Sequence, residues 1–337
     1  MDYQIDVVIP WVDGSDPEWL ARYNRYSGRS SDDASEARYR DWDNLQYIFR
    51  GIERFWPWVD RIFLITDGQQ PRWLRRDHPR LRLVNHADYI PADCLPTFSS
   101  HTIELNLHRI TDLSEHFIYL NDDFFPVRPM QASDFFRNGL PCDSAEQQTL
   151  LSIYVPGDST FRHIDFTNLG LLNAHFRKRD VTRNELRRWY GPYLGLHGML
   201  QALMKVDQPF FTGFALFHSA QSFLKSSFER VWEVYPDFLQ THCRNRFRQC
   251  TDVNQWLVRY WQLAENRFAP CSMSRRKLYA FPSDDAAEVA AAIRSQHYDI
   301  ITVNDTPLLA ASDFPEVKRM VNGALAEILP NKSAFEL

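Results

Sequence analysis

The sequence predicts an α/β domain with a mainly parallel β-sheet and a helical insertion or lobe. Three observations lead to this prediction: strand-like runs alternate with helical patterns, polar residues follow those runs directly, and the chain then changes to aromatic-rich helical sequence. Of the 337 residues, 44% are hydrophobic, which is enough apolar material for a sizeable core. In sheets of this kind ligands bind at the carboxyl ends of the strands, so function is expected there.

The first half of the chain contains four strand-like runs, DVVIPWV (6–12), RIFLIT (61–66), LRLV (81–84) and FIYL (117–120). The first is followed by DGSDP, the second by DGQQP and the fourth by NDD. Asp and Asn favour turns, which explains any one of these loops on structural grounds alone. Carboxylates after three strands together indicate a polar rim at the carboxyl edge of the sheet.

The segments between and after these strands complete the prediction. Apolar residues recur at helical spacing from Leu45 to Trp56, until Pro57 ends the pattern. The polar segment SGRSSDDASEA (27–37) predicts a mobile surface loop. A dense basic run, HFRKRDVTRNELRRWYG (175–191), lies in the helical part, and YDIITVNDTPLL from Tyr298 predicts a strand that returns to the sheet rim.

Charge and composition exclude several classes of protein. The formal net charge of -5 and the pI of about 6.1 argue against a nucleic-acid binder, whose domain is usually basic. No apolar run is long enough for a membrane helix, and the N-terminus lacks the features of a signal peptide, so a cytoplasmic protein is expected. The five cysteines are scattered without CxxC pairs, which indicates neither a disulfide framework nor a zinc site.

Adjacent carboxylates at the end of the fourth strand suit a hard divalent cation, Mg²⁺ or Mn²⁺, that also binds substrate phosphates. Asp122 and Asp123 are therefore candidate metal ligands. Successive residues of a strand point to opposite faces, so both can bind one ion only if the strand has ended by Asn121. Otherwise one of the two carboxylates has a structural role.

Three further groups are candidates for catalysis or substrate binding. In LPTFSSHTIELNLHRI (95–110), His101, Glu104 and His108 fall on one face of a predicted helix and could orient a substrate or pack against a loop. His218 follows an apolar run and is a candidate general base, although a buried structural histidine is the more common explanation of such a pattern. The arginines of HCRNRFRQCTD, Arg248 among them, could hold phosphate oxygens or form a solvated face.

Familiar nucleotide-binding and nucleophile motifs do not occur in the sequence. It contains neither GxxxxGK[ST] nor GxGxxG, and no GxSxG nucleophile elbow. Residue chemistry alone therefore leads to a metal-assisted enzyme acting on a phosphorylated, sugar-containing substrate. A glycan- or lipid-binding accessory protein that uses the basic run is the alternative from a different class.

The motifs taken together resemble the Stealth family, which includes bacterial capsule hexose-1-phosphate transferases and the catalytic subunit of the animal GlcNAc-1-phosphotransferase. The resemblance rests on blocks that occur in order along nearly the whole chain: IDVVIPWVDGSDPEW, RDWDNLQYIFRGIERFWPWVDRIFLITDGQQPRWL, LPTFSSHTIELNLHRI, FIYLNDDFF, HSAQSF through RFRQCTDVNQW, ITVNDTP and LPNKSAFEL.

The resemblance implies a nucleotide-sugar-binding fold of the GT-A or Rossmann-like kind. It also implies transfer of hexose-1-phosphate, typically N-acetylhexosamine-1-phosphate, from a UDP-sugar to a glycan or lipid-linked oligosaccharide in capsule or exopolysaccharide biosynthesis, with release of UMP. A glycosyltransferase that releases UDP is the alternative.

On this basis residues 1–150 form a donor-binding α/β part, 151–297 a mainly helical acceptor-side part, and 298–337 a C-terminal return to one integrated catalytic domain. A peripheral contact of the basic run with the inner face of the plasma membrane is also expected.

The resemblance also implies roles for individual residues. Expected catalytic residues are His218, Asp123 and Arg248, with His101 and His108 as reserve bases. Expected substrate-binding residues are Asp13, Gly14, Asp67, Asn121, Asp252, Asn304 and Asp305. The chain departs from the animal enzymes in having TDGQ where they have TNGQ and HSAQ where they have HxPH, which places the roles of Asp67 and Gln221 in question. The chain also lacks their long inserted modules, which favours a bacterial glycan as the acceptor.

Overall fold

The computed structural model describes residues 3–27, 40–151 and 159–337, with side chains in the last segment described from residue 163. The loop predicted over residues 27–37 therefore lies outside the described residues, apart from Ser27 at the end of the first helix.

The described strands are β1 (Ile5–Pro10), β2 (Ile62–Thr66), β3 (Leu81–Asn85), β4 (His116–Tyr119), β5 (Phe124–Pro126), β6 (Phe136–Arg137), β7 (Leu140–Asp143), β8 (Gln221–Leu224), β9 (Ala269–Pro270), β10 (Arg276–Ala280) and β11 (Ile300–Asn304). The described helices are α1 (Pro17–Ser27), α2 (Leu45–Phe55), α3 (His86–Tyr89), α4 (Ser100–Leu105), α5 (Ser159–His175), α6 (Lys178–Thr182), α7 (Leu186–Trp189), α8 (Gly195–Met204), α9 (Lys225–Val234), α10 (Pro236–Cys243), α11 (Gln255–Ala264), α12 (Ala286–Ser295) and α13 (Phe314–Ile328).

The main sheet has five strands in the order β3-β2-β1-β4-β8. The pairs β3–β2, β2–β1 and β1–β4 are parallel, and β8 is antiparallel to β4. The predicted α/β class with a mainly parallel sheet is confirmed. All four predicted strands of the first half are present, and α2 ends at Phe55, one residue before Trp56, where the predicted pattern ended ahead of Pro57.

Helices cover both faces of the main sheet, because alternate residues of its central strand enter two different cores. Val7 and Ile9 of β1 belong to the core formed with α2, α12 and α13. Val8 belongs to the second core, which is formed with α9 and α11. All ten residues of α11 are buried, so this helix lies within the molecule.

The predicted C-terminal strand β11 belongs to a smaller sheet, in the order β10-β11-β5. It pairs antiparallel with β5, with Ile301 opposite Phe125, and the Val303 N–H donates to the Asp123 carbonyl at 3.0 Å. The strand therefore returns to the rim as expected, but it does so through a separate sheet beside the end of β4. A third small sheet has the order β6-β7-β9.

The segment 151–297 is mainly helical but also supplies β8, which completes the main sheet. The proposed division of the chain at residues 150 and 297 stays a prediction. In the part of the chain that the structure describes, every helix is too short or too polar to cross a lipid bilayer.

Candidate active site

The carboxyl ends of the parallel strands lie along one edge of the main sheet. Asp13 and Gly14 follow β1, Asp67 follows β2, and the sequence Asn121-Asp122-Asp123 follows β4. Since β1 lies between β2 and β4, the loops after these three strands are neighbours. The topology thus brings the carboxylates of the three loops to one rim.

The β1 and β2 loops are joined by side-chain hydrogen bonds. The Gln69 amide accepts from the Asp13 N–H at 2.9 Å and donates to the Asp13 carbonyl at 2.8 Å. Asp67 forms an ion pair with Arg22 of α1 at 2.7 Å. His86 lies 3.9 Å from the other Asp67 oxygen, and burial lowers the pKa of His86 to about 4, so this ring is neutral at pH 7.

The loop after β4 holds the two adjacent carboxylates with a histidine beside them. Strand β4 ends at Tyr119, so the chain has turned before Asp122 and both side chains can face the rim. The Asp123 Oδ2 atom lies 3.4 Å from Nε2 of His218, whose ring also packs edge-on against Phe124. The Asp123 Oδ1 atom is buried and has no hydrogen-bond partner among the described residues.

The carboxyl group of Asp122 has a strongly shifted pKa. Its side chain reaches solvent, but many protein atoms lie around it and reduce its hydration. This crowding and the negative charge of Asp123 raise the pKa of Asp122 to about 7. Asp41 adds to the shift and His218 opposes it, so both groups are close to Asp122. Asp122 and Asp123 together offer adjacent carboxylate oxygens, the ligand type that hard divalent cations take.

A second histidine and a carboxylate lie at α4. Nδ1 of His101 is 3.2 Å from Oδ2 of Asp252, which also accepts from the Gln249 N–H at 2.8 Å, while Asn245 donates to the other Asp252 oxygen. A carboxylate accepts from the protonated ring nitrogen, so Nε2 of His101 carries the lone pair when the ring is neutral. Burial lowers the pKa of His101, and the hydrogen bond to Asp252 partly offsets this.

Arg248 and Tyr119 connect the α4 group with the carboxylate pair. Arg248 donates to the Ser100 hydroxyl at 2.7 Å, and Tyr119 at the end of β4 donates to Glu104 at 3.2 Å. Burial and the Glu104 charge raise the pKa of Tyr119; Asp122 adds to this shift and Arg248 opposes it. The charges of Asp122 and Arg248 therefore both act at the Tyr119 hydroxyl, between the two groups.

The expectation that His101, Glu104 and His108 share one helical face is wrong. Helix α4 ends at Leu105, where the Asn106 side chain donates to the Thr102 carbonyl at 2.8 Å, and residues 107–109 form a 3-10 turn. His108 packs instead near Phe228 and Trp232. Burial lowers its pKa to about 3. The structure therefore separates His108 from the other candidate residues.

Asn304 is the last residue of β11, and Asp305 follows it near the carboxylate loop. Asp305 lies 3.3 Å from Nε of Arg40, and its carboxyl pKa is raised by burial, against the effect of Arg40. Sequence reasoning missed Arg40 and Asp41, which approach Asp305 and Asp122 respectively. The signal was present in RDWDN, which stands at the start of the family-like second block.

Comparison with known proteins gives consistent family matches. The family model for Stealth protein CR1, conserved region 1, matches residues 3–31, and the model for CR2, conserved region 2, matches residues 38–142. The chain is 35% identical over 336 residues to the capsular polysaccharide phosphotransferase WcwK of Streptococcus pneumoniae, covering 99% of this chain and 98% of that protein.

Two further relatives match over nearly their full length. The receptor polysaccharide phosphotransferase WefC of Streptococcus oralis is 34% identical, with 99% of each chain covered. The exopolysaccharide phosphotransferase cps2G of Lactiplantibacillus plantarum is 34% identical, covering 99% of this chain and 96% of that protein. Among solved structures, the galactosyltransferase LgtC covers 98% of both chains at 11% identity and a TM-score of 0.39, a weak overlap. The full-length sequence matches establish that this chain belongs to the Stealth family.

Proposed function

We propose that the enzyme transfers hexose-1-phosphate, in particular N-acetylhexosamine-1-phosphate, from a UDP-sugar to a glycan hydroxyl in capsule or other surface polysaccharide synthesis, and releases UMP. The observation that carries the proposal is the carboxylate pair Asp122-Asp123 after β4, with His218 3.4 Å from Asp123. The relatives' names, which describe polysaccharide phosphotransferases, support it.

The proposal includes Mg²⁺ or Mn²⁺ held by Asp122 and Asp123. These residues fit such an ion because both offer hard oxygen donors, and Asp123 Oδ1 is buried with no hydrogen-bond partner in the described part of the chain. Among the described residues no group of three or more His, Cys, Asp or Glu side chains could hold a metal ion. Two carboxylates leave coordination positions for substrate phosphates, which is usual for Mg²⁺. When bound, the ion neutralises and orients the diphosphate.

The proposed reaction is a displacement at phosphorus. The acceptor hydroxyl oxygen forms a bond to the β-phosphorus, the bond to the bridging oxygen breaks, and UMP leaves with that electron pair. His218 takes the hydroxyl proton, because its side chain is 33% exposed beside Asp123, whereas His101 is 6% exposed and is kept as the reserve base. Arg248 offsets phosphate charge.

The remaining rim residues are proposed to bind the substrates. The donor binds along residues 1–150 and the acceptor along 151–297, with 298–337 closing the core. The acceptor is a glycan, and the finer proposal is a lipid-linked oligosaccharide reached from the cytoplasmic side of the membrane. The proposed substrate-binding residues are Asp13, Gly14, Asp67, Asn121, Asp252, Asn304 and Asp305.

The test is to identify the nucleotide that the enzyme releases. The purified chain is incubated with UDP-sugars and a capsule-type oligosaccharide, with Mg²⁺ or with EDTA, and the nucleotides are separated chromatographically. UMP that depends on acceptor and metal supports the proposal. Release of UDP would show that the acceptor attacks the anomeric carbon instead. If calorimetry shows that a donor binds but no donor yields a free nucleotide, transfer itself is contradicted.

His218→Ala should lower turnover about a hundred- to ten-thousand-fold while leaving the donor Kd nearly unchanged, because a general base acts in the chemical step. The measurement is kcat from UMP release together with donor calorimetry. His297→Ala, which changes an exposed histidine on the loop before β11, is the matched control and should behave like the unmodified enzyme. Unchanged turnover in His218→Ala would show that His218 is not the general base. His101→Ala would then be the next variant to test, because His101 is the reserve base.

A further inference from the structure

Helix α8 presents its large apolar side chains to solvent. Leu196 is 77% exposed, Leu200 53%, Leu203 51% and Met204 82%. Their spacing of three to four residues places them on one side of the helix. Val206 and Phe210, just beyond the end of α8, are exposed as well. We call Leu196, Leu200, Leu203, Met204, Val206 and Phe210 the α8 face.

The opposite side of α8 packs against the protein through small residues. Gly198 and Ala202 are its buried positions, and a Cβ added at Gly198 would lie 3.1 Å from Leu194 Cβ. An ordinary surface helix buries its large apolar residues and exposes polar ones. Helix α8 exposes its large apolar residues and buries its small ones. This pattern is typical of a helix whose outer side binds a partner.

Basic residues lie next to the α8 face. The Lys178 ammonium at the start of α6 donates to the Lys205 carbonyl at the end of α8. The guanidinium of Arg177 lies 4.4 Å from the centre of the Phe210 ring. Arg179 and Arg187 are exposed in the same basic run. Residues 176–210 contain seven Arg or Lys against three Asp or Glu, so this segment is positive in a chain of net charge -5.

We propose that the α8 face and its flanking arginines dock the enzyme onto an anionic lipid bilayer. Exposed leucines beside arginines are the composition of a helix that lies in the membrane interface, with its apolar side among the acyl chains and its cations at the headgroups. A second copy of the chain is a poorer partner, because a symmetric contact would bring the same basic segment of both copies together. The inference does not depend on the proposed reaction.

The experiment is vesicle flotation of the full chain with phosphatidylcholine vesicles, with and without about one third phosphatidylglycerol. The chain should bind the anionic vesicles and bind the neutral ones much less. Leu200→Gln should weaken partitioning about tenfold, because a leucine then no longer enters the apolar layer. Arg179→Gln and Arg187→Gln should each weaken binding to anionic vesicles about fivefold and leave neutral vesicles unaffected.

Leu278→Gln is the matched control, because Leu278 is also a partly exposed leucine, 43% accessible, on β10. It should bind vesicles like the unmodified chain. Thermal unfolding of each variant shows whether the fold is kept. Absence of vesicle binding, equal binding to both vesicle types, or unchanged binding in a Leu200→Gln, Leu203→Gln double variant would each overturn the proposal. A lipid-free dimer that Leu200→Gln dissociates, without vesicle binding, would assign the face to a second copy instead.

Discussion

At the residue scale, the proposed metal site depends on the protonation state of Asp122. Its pKa is raised to about 7, so this carboxyl group titrates closer to neutral pH than an ordinary aspartate when no metal is bound. A ligand carboxyl group must lose its proton before it coordinates a metal. Surrounding protein atoms and the negative charge of Asp123 both raise this pKa. The same negative charge favours a cation, which would remove the repulsion between the two carboxylates.

Metal affinity should therefore depend on pH in a range where ordinary aspartates do not titrate. Below pH 7 the Kd for Mn²⁺ should rise about tenfold per pH unit, because one proton must leave on binding, and above pH 8 it should level off. Calorimetry from pH 5.5 to 8.5 measures this. Asp41→Asn should shift the dependence to lower pH, since Asp41 helps to raise the Asp122 pKa. A Kd for Mn²⁺ that stays constant over this range would contradict the assignment of Asp122.

The sequence identified most rim residues but not their partners. Asp122 and Asp123 were predictable because a strand pattern ended directly before them. The pairing of His101 with Asp252 joins residues that are 151 positions apart, and that of Arg40 with Asp305 spans 265 positions, so no local pattern reports either pair. The buried ion pair of Arg259 with Asp143 at 2.8 Å also escapes sequence-based prediction, because its two residues are far apart in the chain.

At the element scale, the contact between α2 and β5 supports the carboxylate loop. A Cβ added at Gly51 of α2 would lie 2.7 Å from the Pro126 carbonyl oxygen of β5. Strand β5 begins at Phe124, directly after Asp123. The close approach that glycine allows therefore determines how near the helix lies to the segment that holds the carboxylates.

Gly51→Ala should lower the free energy of unfolding by about 1–3 kcal/mol, because the added methyl group pushes the helix away from β5. It should also weaken Mn²⁺ binding by displacing Asp123. Gly170→Ala in α5 is the matched control, since no described atom beyond its chain neighbours and its own helix backbone lies within 4 Å of the added Cβ. That substitution should stabilise the protein by about 0.5–1 kcal/mol. Urea unfolding and Mn²⁺ calorimetry check both variants; equal behaviour of the two would refute the packing argument.

The elements that were predictable differ from the others in how they are stabilised. Strands β1 to β4 and helix α2 carry long apolar patterns, which sequence periodicity detects directly. Strands β5 and β8 have three and four residues, and both pair antiparallel with strands far away in the chain. Helix α4 was expected to reach His108, but Asn106 ends it by bonding back to Thr102. Short-range sequence signals therefore predicted the four parallel strands of the main sheet, but neither its antiparallel edge strand β8 nor the short strand β5 of the second sheet.

At the scale of the whole molecule, the last residues of the chain bind to helix α2 and pack into the core beside the main sheet. Glu336 accepts two hydrogen bonds of 2.7 Å from Arg50 of α2. The Leu337 N–H donates to the Trp73 carbonyl, and Phe335 is buried among the core residues. Burial alone would raise the pKa of Glu336, but hydrogen bonds from Arg50 and Ser333 outweigh it and lower that pKa.

Glu336→Gln should cost about 1.5–3 kcal/mol of unfolding free energy at pH 7, because charge-assisted hydrogen bonds to Arg50 are weakened. A carboxyl pKa that is lowered in the folded state stabilises the fold above the unfolded pKa, and this contribution disappears as the pH falls through the folded value. The difference between Glu336→Gln and the unmodified chain should therefore shrink between pH 5 and pH 3 in urea unfolding. A difference that stays constant over this range would show that Glu336 acts through packing.

The hydrogen bond from Val303 to the Asp123 carbonyl has a consequence for biosynthesis. Because the chain emerges from the ribosome from its N-terminus, Asp122 and Asp123 are made long before β11 exists. Their loop acquires its neighbouring strand only after Val303 has been synthesised. A chain truncated before Val303 therefore lacks the hydrogen bond that joins β11 to the loop of Asp122 and Asp123.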